Sequence, residues 1–340
     1  MKILVTDSIS EEGITYLRQQ SKFYVSYQPD LSPDSLLSEV RDADALIVRS
    51  KTKVTSNVIK AAKCLRVIGR AGAGVDNIDQ EAATRKGVVI MNTPGGNSIS
   101  VAEHAFALML SLARKIPLAD TSLRSGNWNK SSLVGQELQN KTLGILGLGK
   151  IGALLAQRAQ AFHMKVIAFD PFVSEDHATS LGVQLAKLND LFSQSDFVSL
   201  HLPLNEKTKG LINTSTLALM KKKSFLINTS RGELVVEADL ANALESGHLS
   251  GAALDVFEEE PEIHASLLSS PKTIVTPHIA GSTVEAQSKV GYEIAVQISN
   301  YLNDEVILNA INFPSMTPKE VEDLQDYVRL GEKLGSFIGQ

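Results

Sequence analysis

The stretch that most constrains this chain runs from Thr142 to Asp170. An apolar run, Thr142 to Leu146, ends in Gly147-x-Gly149-x-x-Gly152 and leads into a helical pattern through about His163. A second apolar run, Lys165 to Phe169, then ends in Asp170. Strand, glycine turn, helix, strand and acid together form a dinucleotide-binding fingerprint, whereas the glycines alone would be a weak signal. Gly147 permits the tight turn, Gly149 lets backbone approach a pyrophosphate, and Gly152 lets helix pack close to strand. Phosphates would sit where free N–H groups and the helix dipole are positive. A carboxylate at Asp170 would accept the adenosine ribose hydroxyls and repel a 2′-phosphate, which predicts NAD rather than NADP.

That unit needs fewer residues than the 340 available, so a second domain with its own core is expected. A formal net charge of −5 argues against nucleic acid or an anionic membrane as partner. The single cysteine, Cys64, rules out an internal disulfide and suits a reducing compartment. The start, Met1 to Asp7, reads as a strand and turn rather than a signal peptide, and the longest apolar helix candidate, Ala105 to Ala113, is too short to span a membrane. A cytoplasmic location is expected.

Residues 1–97 alternate buried strand runs (Ile3–Val5, Ala45–Val48, Arg66–Ile68, Val88–Met91) with helical patterns near 11–20, 33–42, 56–63 and 79–86. That alternation predicts a parallel sheet wrapped by helices. A helix from Ser98 to about Arg114, with Ser98 or Ser100 as cap and Glu103 in its first turn, is apolar nearly all round and must be buried. Further strands are expected near 142–146, 165–169, 197–201, 224–228, 251–255 and 273–276, and a last helix near 283–302 leads to the apolar run Val306-Ile307-Leu308. In the tail, Thr317-Pro318-Lys319-Glu320 is a helix start, and Val321, Leu324, Tyr327, Val328, Leu334 and Phe337 form an apolar stripe.

Groups suited to chemistry follow successive strands of the second half. Ile227 to Gly232 places Arg231 just past one strand with Thr229 and Ser230, Ala253 to Pro261 places carboxylates including Asp255 and Glu260 past the next, and Val275 to Gly281 places His278 past the last, ahead of Gly281. Ligands of a parallel sheet bind at the carboxyl ends of its strands, so these groups converge on the glycine turn. A histidine beside a carboxylate makes an acid–base pair, and a guanidinium can hold a carboxylate and polarise the adjacent carbonyl. Singly, each is more simply a solvated charge. His201-Leu202-Pro203 would line the cofactor site, whereas His104 reads as a hydrogen-bonded core histidine. No His, Cys, Asp or Glu spacing resembles a metal site. In the first half, Arg49, Lys51 and Lys53 follow one strand, and Arg70-Ala71-Gly72-Ala73-Gly74 follows another. Alternating cations are usually a solvated face, but cations at two strand ends also suit an anion pocket.

The motifs Gly-Leu-Gly-Lys-Ile-Gly, Thr-Ser-Arg-Gly, Ala-Ala-Leu-Asp-Val-Phe-Glu-Glu-Glu-Pro and Pro-His-Ile-Ala-Gly-Ser-Thr together resemble the D-2-hydroxyacid dehydrogenase family, in order, over residues 1 to about 312. The resemblance implies an α/β fold of two doubly wound parallel-sheet domains. A Rossmann NAD-binding domain (98–282) would be inserted into a flavodoxin-like substrate-binding domain (1–97 and 283–312). It implies Arg231, Glu260 and His278 as catalytic residues, and Gly147, Gly149, Lys150, Ile151, Gly152, Asp170, His201, Leu202, Pro203, Thr229, Ser230, Asp255 and Gly281 around the cofactor. Val48-Arg49-Ser50, Gly69-Arg70-Ala71-Gly72 and Asn92-Thr93-Pro94 resemble the branch that acts on a phosphorylated 2-hydroxy acid. Arg49, Lys51, Arg70, Ala71, Gly72, Ala73 and Asn97 would hold that substrate. Ala73 stands where many relatives have Thr, which removes a hydroxyl but keeps the backbone donors. A homodimer or homotetramer is implied, with the Ser98 helix and Trp128 at subunit contacts. Residues 313–340 resemble the opening helix of a regulatory domain, so either the natural chain continues, the favoured reading, or the tail is kept for packing. A reductase of unphosphorylated hydroxyacids such as glyoxylate or hydroxypyruvate, and a non-catalytic NAD-sensing corepressor, are the alternatives.

Overall fold

The computed structural model describes residues 1–313, 326, 327, 329–331, 333–335 and 337. The chain divides into two compact units, one formed by Met1–Asn97 with the chain from Thr283 onward, the other by Ser98–Ser282.

In the first unit, β1 (Lys2–Val5), β2 (Tyr24–Tyr27), β3 (Ala45–Val48), β4 (Val67–Arg70) and β5 (Val89–Asn92) form a parallel sheet in the order β2-β1-β3-β4-β5. β3 is Ala-Leu-Ile-Val, buried throughout, as a strand covered by helices on both faces must be. The helix Val284–Asp304, capped by Thr283 Oγ1 accepting from the Ala286 N–H, returns to this unit. It buries Val290, Ile294, Ile298 and Leu302 with Ile3, Val5, Val67 and Met91. It also lies backbone-close to the helix Glu11–Arg18: a Cβ on Gly13 would come within 2.5 Å of the Gly291 carbonyl oxygen. Of the Val306–Leu308 run, Ile307 joins this core, and Ala310 bridges Met91 antiparallel.

In the second unit, β6 (Thr142–Leu146), β7 (Lys165–Phe169), β8 (Gln184–Leu185), β9 (Phe197–Leu200), β10 (Phe225–Asn228), β11 (Gly251–Leu254) and β12 (Thr273–Val275) are parallel in the order β12-β11-β10-β9-β6-β7-β8. The order reverses between β9 and β6, which makes the carboxyl end of β6 the topological switch point. Cores lie on both faces. One gathers Phe106, Met109, Leu112, Ile145, Leu155 and Phe197 under the helices Ser98–Arg114 and Lys150–Ala161, and the other gathers Leu146, Phe192, Leu226, Leu240 and Leu254. Phe197 and Phe225 stack across β9 and β10 with ring centroids 4.9 Å apart. Burying such side chains contributes about 1.5–3 kcal/mol each, an upper bound against a compact unfolded chain.

The structure corrects several expectations. β2 and β8 were not expected: Tyr24 is exposed on an edge strand and β8 is a two-residue edge, so neither presents a continuous apolar run. The helix Ser98–Arg114 begins at Ser98 itself, which puts Glu103 beyond the first turn, where it pairs with Arg158 at 2.9 Å. As its composition requires, that helix is buried, against its own unit's sheet and helix, although Ile99 stays exposed. Thr317–Glu320 and half of the tail stripe (Val321, Leu324 and Val328) lie outside the described residues; Tyr327, Leu334 and Phe337 are exposed. No helix of the described residues is long and apolar enough to cross a membrane.

Candidate active site

The glycine turn sits at the switch point of the second unit. Gly147 follows β6 with φ 94°, a left-handed conformation where a side chain would also press within 2.5 Å of the His201 carbonyl oxygen. A Cβ on Gly152 would come within 2.2 Å of the Gly147 carbonyl oxygen, so helix and turn touch through backbone. Gly149, which precedes the helix Lys150–Ala161, has nothing within 4 Å of an added Cβ. The helix N-terminus carries no side-chain cap, the arrangement that suits an anion there. Lys150 is exposed beside it and Ile151 packs on the core.

Asp170 closes the cradle. Its Oδ2 accepts from the Leu148 N–H at 2.9 Å and its Oδ1 from the Phe172 N–H at 3.0 Å, leaving lone pairs on both oxygens for further donors. His201 follows β9 with Nε2 2.9 Å from Ser199 Oγ, and burial pushes its pKa down to about 4. His201 Nδ1 and Thr229 Oγ1 are buried with no hydrogen-bond partner among the described residues. Leu202 is buried and accepts from Ser230 Oγ at 2.6 Å, while Pro203 is exposed. Open space at Gly149, a helix N-terminus without a side-chain cap, an acceptor pair at Asp170 and two orphaned polar atoms fit a dinucleotide.

The candidate acid–base groups follow β10, β11 and β12. Asn228, fully buried at the end of β10, shapes the first loop: its Oδ1 accepts from the Ser230 N–H at 3.0 Å, and its Nδ2 donates to the Arg231 carbonyl at 2.8 Å. Gly232 then presses directly on Phe257, where an added Cβ would lie 1.9 Å from the carbonyl carbon and oxygen. This contact lays the Arg231 loop against the loop that carries Glu260. His278 Nδ1 lies 2.8 Å from Glu260 Oε2 and 3.1 Å from Oε1. An ionised carboxylate only accepts, so Nδ1 holds a hydrogen and Nε2 is the nitrogen left to exchange a proton. The Glu260 hydrogen bond raises the His278 pKa; partial burial and the Arg231 charge act the other way, while the charges of Glu260 and Asp255 reinforce the rise.

Asp255, fully buried past β11, anchors the last loop. It accepts from Thr276 Oγ1 at 2.5 Å, the Ile279 N–H at 2.9 Å and the Ala280 N–H at 2.8 Å, and its carbonyl accepts from the His278 N–H at 2.8 Å. Burial penalises this carboxylate, but the bonds from His104, Thr276, Ile279 and Ala280 outweigh it and lower the pKa. His104 Nε2 lies 3.1 Å from Thr276 Oγ1 and 3.6 Å from Asp255 Oδ1, so this helix histidine is a partner of the His278 loop. Gly281, partly buried, follows directly.

In the first unit, Arg49 follows β3 and Arg70 ends β4. The Asp7 carboxylate, past β1, shapes the Arg49 loop by accepting from the Arg49 N–H (2.6 Å), the Thr52 N–H (3.2 Å) and Thr52 Oγ1 (2.6 Å). Asn77 Nδ2 donates to the carbonyls of Arg49 and Thr52. The Arg49 guanidinium donates to Ser8 O at 3.1 Å, and Lys51 is ion-paired with Asp30. The Arg70 guanidinium folds over Gly72, whose φ of 145° and missing side chain leave room for it. Ala71 is buried, Ala73 exposed, and Asn97 partly buried ahead of the Ser98 helix. Sequence reasoning missed Asp7, Asn77, Asn228, Thr276 and the part played by His104. A polar residue within two positions of a strand's end was the one signal available for Asp7 and Thr276.

Residues 106–280 match the model of the D-isomer specific 2-hydroxyacid dehydrogenase NAD-binding domain, and the chain belongs to that family. Nearer still is the D-3-phosphoglycerate dehydrogenase of Synechocystis, 44% identical over 339 residues, covering 100% of this chain and 61% of the relative. The chain thus spans less than two thirds of that relative. Among solved structures, a glyoxylate reductase from Paecilomyes thermophila is 30% identical with TM-score 0.83, covering 92% of this chain and 98% of that one. A D-lactate dehydrogenase from Aquifex aeolicus, complexed with NAD and lactic acid, is 28% identical with TM-score 0.80, covering 92% and 100%.

Proposed function

We propose that this chain catalyses the NAD-dependent oxidation of D-3-phosphoglycerate to 3-phosphohydroxypyruvate, the reaction that opens L-serine biosynthesis. The observation that carries the chemistry is the Glu260-oriented His278 in the unit that holds the glycine turn. Bound NAD would supply the acceptor for the hydride that leaves C2. His278 Nε2 takes the hydroxyl proton as the carbonyl forms, and Glu260 stabilises the imidazolium through Nδ1. In reverse the same nitrogen returns the proton. Arg231 binds the carboxylate and polarises the adjacent oxygen. Gly147, Gly149, Lys150, Ile151 and Gly152 take the pyrophosphate, and Asp170 the ribose. His201, Leu202, Pro203, Thr229, Ser230, Asp255 and Gly281 line the rest of the cofactor.

The substrate is read as phosphorylated because Arg49 and Arg70 stand at neighbouring strand ends, and an unphosphorylated acid does not need both. Lys51 assists them, the backbone of Ala71 to Ala73 takes the carboxylate, and Asn97 lies near the substrate. The first unit is accordingly the substrate-binding domain. We place the protein in the cytoplasm, consistent with its lone cysteine, and assign Trp128, 81% exposed, to a contact with a second copy of the chain. A substrate panel tests the assignment. Turnover of D-3-phosphoglycerate should exceed that of D-glycerate by roughly tenfold or more, the worth of a charge-assisted contact; equal turnover of both would remove the phosphate pocket.

A further inference from the structure

Glu237 opens the helix Glu237–Glu245 yet is 5% exposed, which is unusual for a carboxylate. Its two oxygens are used on one loop. Oε1 accepts from the Glu258 N–H at 2.8 Å, and Oε2 accepts from the His264 N–H at 3.2 Å. The tie is reciprocal, because Glu258 Oε2 accepts from the Glu237 N–H at 3.3 Å. Between the two tied residues lies Glu260, the carboxylate that orients His278. At the loop's base, the Phe257 N–H also donates to Glu260 Oε1 at 3.3 Å, and Phe257 is backed by Gly232.

We propose that Glu237 is a positioning residue for the acid–base pair, clamping both ends of the loop Glu258–His264 so that Glu260 stays within hydrogen-bond reach of His278. This rests on reading His278 as the acid–base group. Chemistry explains why the position takes a carboxylate. Two N–H donors converge on one side chain, and only an ionised carboxylate offers an acceptor to each; an amide would turn a donor toward one of them. The position at a helix N-terminus favours the negative charge. Without the clamp, the Glu260 loop keeps its base contact and the packing of Ile263 on the core but loses the two backbone ties that flank Glu260, and a displacement near 1 Å is enough to cost a large share of turnover. The groups facing His278 are Glu260, Asp255 and Arg231; those facing the Glu237 carboxylate are the backbones of Glu258 and His264, with the Glu258 side chain on its N–H.

The test compares wild type, Glu237→Gln, Glu260→Gln and the double variant in reduction of 3-phosphohydroxypyruvate by NADH across pH. Glu260→Gln is expected to move the alkaline limb of kcat to lower pH. Glu237→Gln should move it the same way by a smaller amount, lower kcat roughly tenfold to a hundredfold, and leave NADH binding within about twofold, since the cradle is elsewhere. The double variant should match Glu260→Gln. A purely structural role would lower thermal stability and leave the limb in place. If Glu260→Gln moves the limb and Glu237→Gln does not, the clamp is refuted while the acid–base reading stands. If neither moves it, the acid–base reading fails and takes the clamp with it. Should Glu237→Gln lose NADH binding altogether, Glu237→Asp, which keeps the charge one methylene short, decides: an unmoved limb refutes the clamp, and an intermediate one supports it.

Discussion

Replacing Gly149 by Ala separates binding from folding at the cradle. In the protein, a methyl at this position meets nothing within 4 Å, and the backbone at φ −75° and ψ −163° is open to alanine. Removing a glycine from the unfolded chain stabilises by about 0.4–1 kcal/mol, offset by a few tenths because alanine precedes helices less well. The apoprotein should therefore melt within about 1–2 °C of wild type. The same methyl points into the space assigned to the pyrophosphate. Forcing a methyl into a filled contact costs about 1–3 kcal/mol, so NADH should bind roughly 5- to 150-fold more weakly. Gly152→Ala is the contrast: its methyl would sit 2.2 Å from the Gly147 carbonyl oxygen and 3.1 Å from Ile145 Cγ2, so stability and binding should fall together. Fluorescence titration with NADH and thermal unfolding of the apoprotein measure the two effects. Unchanged NADH affinity in Gly149→Ala would refute the placement of the phosphates on this turn.

Other outcomes follow from the titrating groups. His278→Gln should lower turnover by about 10²–10⁴-fold while NADH still binds, and retained turnover would remove the acid–base assignment. Because hydrogen bonding to Glu260 raises the His278 pKa, the pair's small, solvent-screened contribution to stability is full below the unfolded value near 6.5 and is lost as pH rises through the folded value. A pH-stability comparison with Glu260→Gln should show that loss in wild type alone. His201 behaves oppositely. Its folded pKa of about 4 lies below the unfolded value of 6.5, so stability is full above pH 6.5 and falls as pH drops toward 4, by at most about 3 kcal/mol. His201→Gln should flatten that fall; superimposable acid denaturation curves would show that His201 is not buried neutral.

Periodicity and punctuation were enough to read β3, β6 and β7, because apolar runs bounded by glycine and charge are local properties of the chain. Asp170, and the order of Arg231, Glu260 and His278 behind successive strands, were legible for the same reason. The edge strands β2 and β8 were not, since an edge pairs on one side and needs no continuous apolar run. Nor could sequence show that Glu237 ties Glu258 and His264, that Gly232 presses on Phe257, or that His104 reaches Thr276 from 172 positions away. The sequence alone determined which groups stand at which strand ends. Tertiary structure alone decided which loops are clamped to which, because a buried carboxylate is satisfied by donors that folding delivers from elsewhere in the chain.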